Sequence, residues 1–288
     1  MKACIVCFSQ TGNTWLVAEA IRERLQGSVR ECRLLRLEEA DPAAVSGCGL
    51  FGLGLPSFYF REPANVARFF EKMPGIPGLP FFFFVTHGGT PGDTFSRVHR
   101  LAAGRGLETV GFFECLGVDT YPPFSGRRPL TALGHPDRND LDRAALFAGR
   151  VLDNARALKS GLQWERPRIP GSLPARMAAA LFDSGSLEAL MRLRLLPAKK
   201  VLAGRCTHCG WCVQNCPSRV ISLDPDPVFA REGCIACYHC QRGCPSGAIS
   251  CDWRMFRLLS GEFLRSRETQ VNGKPTINQE PSDAGKGP

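Results

Sequence analysis

Apolar positions in the first 160 residues follow two alternating patterns. Short, nearly continuous hydrophobic runs are separated by stretches where apolar residues recur every three or four positions. The first pattern marks buried strands and the second marks amphipathic helices. Strands are predicted at 3–8, 29–37, 49–55, 80–86 and 109–118. Helices are predicted from Trp15 to Leu25 and at 64–73, 94–105 and 140–158, with Val17, Ile21, Val66, Phe69, Val98 and Leu101 among the inward positions. Strands that are apolar on both faces, each followed by a helix, call for a parallel sheet covered on both sides. Five such strands predict a doubly wound α/β domain of strand order 2-1-3-4-5.

Beyond residue 160 the alternation stops. Pro167, Pro170 and Pro174 interrupt regular structure, and short helices are predicted at 174–182 and 186–196. Arg192, Arg194, Lys199, Lys200 and Arg205 form a basic run without an acid. It suits a solvated face, a docking patch for an acidic partner, or screening of nearby negative charge. From 206 the chain then reads C-T-H-C-G-W-C-V-Q-N-C-P, and from 234 it reads C-I-A-C-Y-H-C-Q-R-G-C-P. Both halves have the spacing C-x2-C-x2-C-x3-C-P, and they repeat 28 positions apart. Cys206, Cys209, Cys212 and Cys216 form the first half; Cys234, Cys237, Cys240 and Cys244 form the second. This spacing ligates cubane iron–sulfur clusters, whose corners need four converging thiolates. Zinc ribbons use pairs of C-x2-C, not a run of three plus a fourth before proline. Disulfides suit small secreted domains, and the chain begins with no signal-peptide pattern.

The loop after the first strand is the second chemical signal. Ser9-Gln10-Thr11-Gly12-Asn13-Thr14 joins a buried strand to a helix. Ligands of doubly wound sheets bind beyond the carboxyl ends of the strands. Hydroxyls, a glycine that lets backbone approach closely, and a helix N-terminus together make a phosphate cradle. The loop lacks the lysine of a Walker A loop and is not G-x-G-x-x-G, which disfavours nucleoside triphosphates and NAD. A phosphomonoester fits.

These motifs carry a resemblance. The cysteine segment looks like a bacterial-type two-cluster ferredoxin. Residues 9–14 resemble the S/T-x-T-G-N-T phosphate loop of flavodoxins. With the loops at 55–63 and 86–93, they make the chain similar to the family that fuses a flavodoxin domain to a two-cluster ferredoxin domain, loosely the iron–sulfur flavoproteins. The resemblance covers most of the chain in the same domain order. It implies a flavodoxin-like domain at 1–160, a helical connector at 161–199 and a small α+β ferredoxin-like domain at 200–255. A C-terminal extension at 256–288 would follow, its last part disordered. The implied cofactors are FMN and two 4Fe–4S clusters. In two-cluster ferredoxins the fourth cysteine of each run serves the other cube. That assigns Cys206, Cys209, Cys212 and Cys244 to one cluster, and Cys234, Cys237, Cys240 and Cys216 to the other. Pro56, Ser57, Phe58, Tyr59 and Phe60, with Thr86, His87, Gly88, Gly89, Gly92 and Asp93, would flank the flavin ring. Tyr121 and Phe124, in the loop after the fifth strand, would cover it or meet the second domain.

Composition refines this reading. The formal charge of +9 suggests nucleic acid at first. Two oxidised clusters and a flavin phosphate would bring the loaded protein to about +3. No basic–aromatic recognition motif is present, so nucleic-acid binding is not expected. The densest apolar run, around Phe81-Phe82-Phe83-Phe84, is far shorter than the roughly 18–20 residues of a membrane span. A cytoplasmic protein with reduced thiols is expected. Cys4, Cys7, Cys32, Cys48, Cys115 and Cys251 are read as structural thiols. The resulting expectation is electron transfer between FMN, two clusters and redox partner proteins. The alternative is a flavin-dependent oxidoreductase that reduces a small acceptor such as a quinone. A redox-responsive regulator would need a DNA-reading element, and no helix-turn-helix pattern is seen.

Overall fold

The computed structural model describes residues 1–122, 132–171, 173–180 and 184–259. Phe124, the end of the helix predicted at 174–182, and the polar tail from 266 lie outside the described residues. Five strands form the first sheet: β1 (Lys2–Cys7), β2 (Glu31–Arg36), β3 (Leu50–Pro56), β4 (Pro80–His87) and β5 (Glu108–Leu116). All pairings are parallel, in the order β2-β1-β3-β4-β5. The predicted order is therefore the observed one, and the order reverses between β1 and β3.

Two apolar layers cover the sheet. On one face α2 (Ala64–Lys72) and α3 (Thr94–Ala103) pack Val66, Phe70, Phe95 and Val98 against Phe51, Phe81 and Phe83. On the other, α1 (Asn13–Gln26) and α4 (Arg138–Lys159) pack Val17, Ile21, Phe147 and Val151 against Ile5, Phe82 and Phe84. The four consecutive phenylalanines are thus divided between the faces by the period of two in a strand. The neighbouring strand makes room for one pair of them. Gly52 and Gly54 stand in register with Phe82 and Phe84. A Cβ on either glycine would meet the partner ring at 2.3 Å. Cys4, Cys7 and Cys115 lie in these cores, and Cys32 and Cys48 pack against them.

The second half is built from short elements. After α5 (Leu173–Ala180) and α6 (Ser184–Arg192), β6 (Lys199–Val201) pairs antiparallel with β9 (Ile249–Cys251), and β7 (Ile221–Asp224) with β8 (Asp226–Phe229). The cysteine repeat reappears in space. Helix α7 (Trp211–Gln214) begins 28 positions before α8 (His239–Gly243), and their first rings, Trp211 and His239, lie 5.1 Å apart. A last helix, α9 (Arg254–Leu259), ends the described chain. The backbone repeats as well. His208 and Ala236, Gly210 and Tyr238, and Arg219 and Gly247 are left-handed residues in equivalent positions, with φ between 52 and 73°. The left-handed conformation recurs because each cysteine run must bend round its own centre.

Candidate functional site

The eight motif cysteines line two cavities, four to each. Cys206, Cys209, Cys212 and Cys244 border one, with His208, Trp211 and Leu223. Cys234, Cys237, Cys240 and Cys216 border the other, with Lys199, Tyr238 and Phe229. The fourth cysteine of each run has crossed to the other cavity. Cys209 is exposed, whereas Cys237 packs against the core of the sheet, so we call the first cavity outer and the second inner. Four thiols per cavity, none in a disulfide, is a donor set suited to a cubane cluster.

The electrostatics of the two cavities differ. Burial pushes the Cys240 thiol up to about 12, and burial also raises Cys237. Around Cys244 burial acts the same way, but hydrogen bonds from Ser246 and the Ala248 and Ile249 backbone outweigh it and lower the thiol. Cys237 and Cys240, and Cys212 of the outer cavity, which burial also raises, therefore release their protons only with help, and bound metal supplies it. Lys199 also helps: its Nζ donates to Cys234 Sγ at 3.1 Å and stands 4.7 Å over the Tyr238 ring. Burial works against the Lys199 charge, yet Cys234, then Cys240 and Cys237, hold its pKa above the usual lysine value. The basic run was therefore not a uniform patch. Lys199 turns inward, Arg192 pairs with Glu188 at 3.2 Å, and Arg194, Lys200 and Arg205 are exposed.

The loop at 9–14 lies at the carboxyl end of β1, beside the reversal of strand order. Gly12 adopts φ 86° immediately before α1 and itself has no side chain to cap that helix. Several predicted contacts serve the protein itself. Thr14 Oγ1 shares a 2.7 Å hydrogen bond with Thr86 Oγ1, Asn13 Nδ2 donates to the Val118 carbonyl, and Ser9 Oγ accepts from Trp15 N. Gln10 Nε2 is buried and makes no hydrogen bond of ordinary geometry among the described residues. Its amide nevertheless faces Cys237 closely enough to favour the thiolate. A helix N-terminus behind a left-handed glycine, with the hydroxyl of Ser9 beside it, fits a phosphate.

The loops after β3 and β4 clasp one another. Ser57 Oγ donates to the Pro91 carbonyl at 3.0 Å, and Asp93 N donates to the Phe60 carbonyl at 2.7 Å. Gly92 is left-handed, and a Cβ there would meet Phe60 backbone at 2.4 Å, while one at Gly88 would meet Asp119 at 2.5 Å. His87 is buried. Its Nδ1 accepts from Gly89 N, so its Nε2 donates to Glu114 at 2.8 Å, and both ring nitrogens are engaged. Asp93 is buried and accepts from Arg100. The three aromatics at 58–60 diverge, because Tyr59 and Phe60 form a left-handed two-residue turn between Phe58 and Arg61. Phe58 packs edge-on against Phe8 in the core, Phe60 is exposed, and Tyr59 turns to the second half of the chain.

That turn leads to the junction of the two halves. Tyr59 Oη donates to the Ala236 carbonyl at 2.7 Å and lies 3.1 Å from Tyr121 Oη. Arg242 donates to the Thr120 carbonyl and hydroxyl at 2.6 and 2.7 Å, and to Gln10 Oε1 at 3.4 Å. Ile235 enters the core beneath β3 and β4, and Cys237 packs against it. The inner cysteine run is thus seated on the carboxyl ends of β1, β3 and β5, where the phosphate loop also lies. Lys199 and Arg242 are the residues that reading by sequence undervalued. Their only sequence signal was position, one preceding the first run and one inside the second.

Residues 205–248 match the family model described as 4Fe-4S dicluster domain. No curated protein matches the chain. Among solved structures, it is similar to a flavodoxin from the domain Archaea, at 17% identity over 55% of this chain and 99% of that one, with a TM-score of 0.42. It is also similar to the two-electron reduced flavodoxin of Megasphaera elsdenii, at 22% identity over 40% and 85% of the chains, TM-score 0.37. The flavodiiron protein of Giardia intestinalis matches at 17% identity over 55% and 37%, TM-score 0.41. The strand pairing itself carries the fold assignment. No helix among the described residues is long and apolar enough to cross a membrane. A segment matching the 4Fe-4S dicluster domain thus follows a five-stranded parallel sheet of order β2-β1-β3-β4-β5, which fits a flavodoxin–ferredoxin fusion.

Proposed function

We propose that the chain is an electron carrier holding FMN and two 4Fe–4S clusters and exchanging electrons with redox partner proteins. When bound, the clusters pass single electrons and the flavin takes one or two. Cys206, Cys209, Cys212 and Cys244 hold the outer cluster. Cys234, Cys237, Cys240 and Cys216 hold the inner one. Gly12 and the N-terminus of α1 receive the flavin phosphate, with Ser9, Gln10 and Thr11 around it. Residues 1–160 act as the flavin domain, 161–199 as connector and 200–255 as the cluster domain.

One observation carries the reading: the inner cysteine run and the phosphate loop occupy the same sheet edge, joined through Gln10, Tyr59 and Arg242. A cluster loop pressed on that edge favours a carrier over a reductase of small acceptors, which would need the edge open. Anaerobic reconstitution tests it. About eight irons and one FMN per chain are expected. Zinc in the cysteine cavities, or iron without flavin, would sink the central claim. In Cys216→Ala the inner cluster should be lost or altered while the outer one keeps its spectrum. Loss of the outer cluster instead would overturn the crossed assignment.

A further inference from the structure

The two cysteine runs are nearly identical in motif, yet their surroundings differ in charge. The inner cavity has Lys199 on its wall, with Nζ 3.1 Å from Cys234 Sγ. Arg242 lies inside the same run, between Cys240 and Cys244. Its guanidinium is held by Thr120 and Gln10 of the sheet edge. None of the described residues lining the outer cavity is a lysine or arginine. There His208 is paired with Asp226 at 2.9 Å, and both are exposed.

We infer that Lys199, supported by Arg242, is a positioning residue that makes the inner cluster the first of the two to be reduced. The inference rests on the proposed loading of both cavities with 4Fe–4S clusters. Reduction of a cube adds one electron from an external one-electron donor, turns one ferric into one ferrous equivalent, and forms or breaks no bond. The site gains one negative charge. Burial opposes that gain and would by itself make the inner cube the harder to reduce. A cation donating directly to a ligand sulfur opposes burial, since hydrogen bonds to the sulfurs are among the levers on cluster potential. Direct contact decides for the cation, because the ammonium donates to the ligand sulfur itself and has the fully buried Tyr238 ring, not water, on one side. An electron arriving at the exposed outer cube would then settle at the sheet edge, next to the phosphate loop.

The experiment is a potentiometric titration of the anaerobically purified full chain, followed by electron paramagnetic resonance, with iron measured first. Iron short of two cubes would refute the proposed loading and not this inference. With both cubes present, the midpoint lost in Cys216→Ala identifies the inner cluster, and it should be the higher of the two in the native protein. In Lys199→Met that midpoint should fall by at least ~59 mV, a tenfold change in the electron-sharing constant. Lys199→Arg should restore most of it, and the outer midpoint should stay. If Lys199→Met fails to hold its iron, Arg242→Gln carries the same expectation. An inner midpoint that is the lower one, or that is unmoved in a fully loaded variant, overturns the inference.

Discussion

Tyr59→Phe isolates the contact that seats the inner cysteine run on the sheet. The substitution removes one oxygen and keeps the ring among Tyr121, Ala236 and their neighbours. It also keeps the left-handed backbone at 59, so the strain of that turn is common to both proteins. What is lost is the 2.7 Å hydrogen bond to the carbonyl of Ala236, a residue with 0% exposure, together with the 3.1 Å contact to the Tyr121 hydroxyl. A buried acceptor deprived of its donor costs about 1–3 kcal/mol, against about 0.5–1.5 kcal/mol for a hydrogen bond that water can replace. The seat should therefore open about 5- to 150-fold more often, at 1.4 kcal/mol per factor of ten. Native-state hydrogen exchange on the loaded protein reads this directly. Amides at 56–63, 117–122 and 233–243 should lose protection together, because they meet at the junction. Amides in β4 should not change, because their protection comes from the sheet. Unchanged exchange at 233–243 would refute the claim that this hydroxyl holds the two halves together.

Two further outcomes follow from the fold. Gly54→Ala places a methyl 2.3 Å from the Phe84 ring, which has no exposed surface into which to move. It should destabilise by about 1–3 kcal/mol, seen as a lower urea midpoint at unchanged slope, and a shift below about 0.5 kcal/mol would show that the layer can repack. The start of α4 carries a pH signature. The hydrogen bond from His135 to Asp140, then the charges of Asp140 and Asp137, raise the His135 pKa above its ordinary 6.5. A raised folded pKa gives stability that is complete below the unfolded value and fades as pH rises through the folded one. The N-terminus of α4 should thus be better protected near pH 6 than above pH 8, and His135→Asn should flatten that difference.

Much of this was legible in the chain because the signals were local. Apolar runs marked all five strands, and their boundaries moved by no more than two residues. The cysteine spacing marked the two runs because ligand geometry is set within each loop. What was not legible depends on distant partners. Tyr59 reads as one aromatic among three until Ala236, far along the chain, meets its hydroxyl. Lys199 reads as part of a basic run, and only the alternation of β6 separates it from exposed Lys200. Gly52 and Gly54 read as weak points in a strand, yet they are the space that Phe82 and Phe84 occupy. His87 and Gly92 read as flavin contacts by loop position alone. Their observed partners, Glu114 and Phe60, come from a neighbouring strand and a facing turn.

The repeat also shows how near-symmetric halves become unequal, and one pair of positions tests it. Gly210 and Tyr238 are equivalent by the 28-residue offset, and both are left-handed, at φ 73 and 53°. Glycine adopts that conformation freely, whereas another residue gives up roughly 1–2 kcal/mol for it. Tyr238 must recover the difference through its side chain. Its ring is fully buried, lies 4.5 Å from Trp253, supports Lys199, and donates its hydroxyl to the Pro197 carbonyl at 3.0 Å. Removing a buried aromatic of this kind costs about 3–5 kcal/mol. Tyr238→Gly should gain back the backbone strain and still lose about 1–4 kcal/mol net, measured by denaturant unfolding of the loaded protein. Gly210→Ala, with only Gln214 Nε2 near the new methyl at 3.7 Å, should lose only the backbone amount. A Tyr238→Gly protein more stable than the native one by about 1–2 kcal/mol would mean that the second run gains nothing from its tyrosine. A Tyr238→Gly protein as stable as the native one would mean that the ring contributes only the roughly 1–2 kcal/mol that its own left-handed backbone costs.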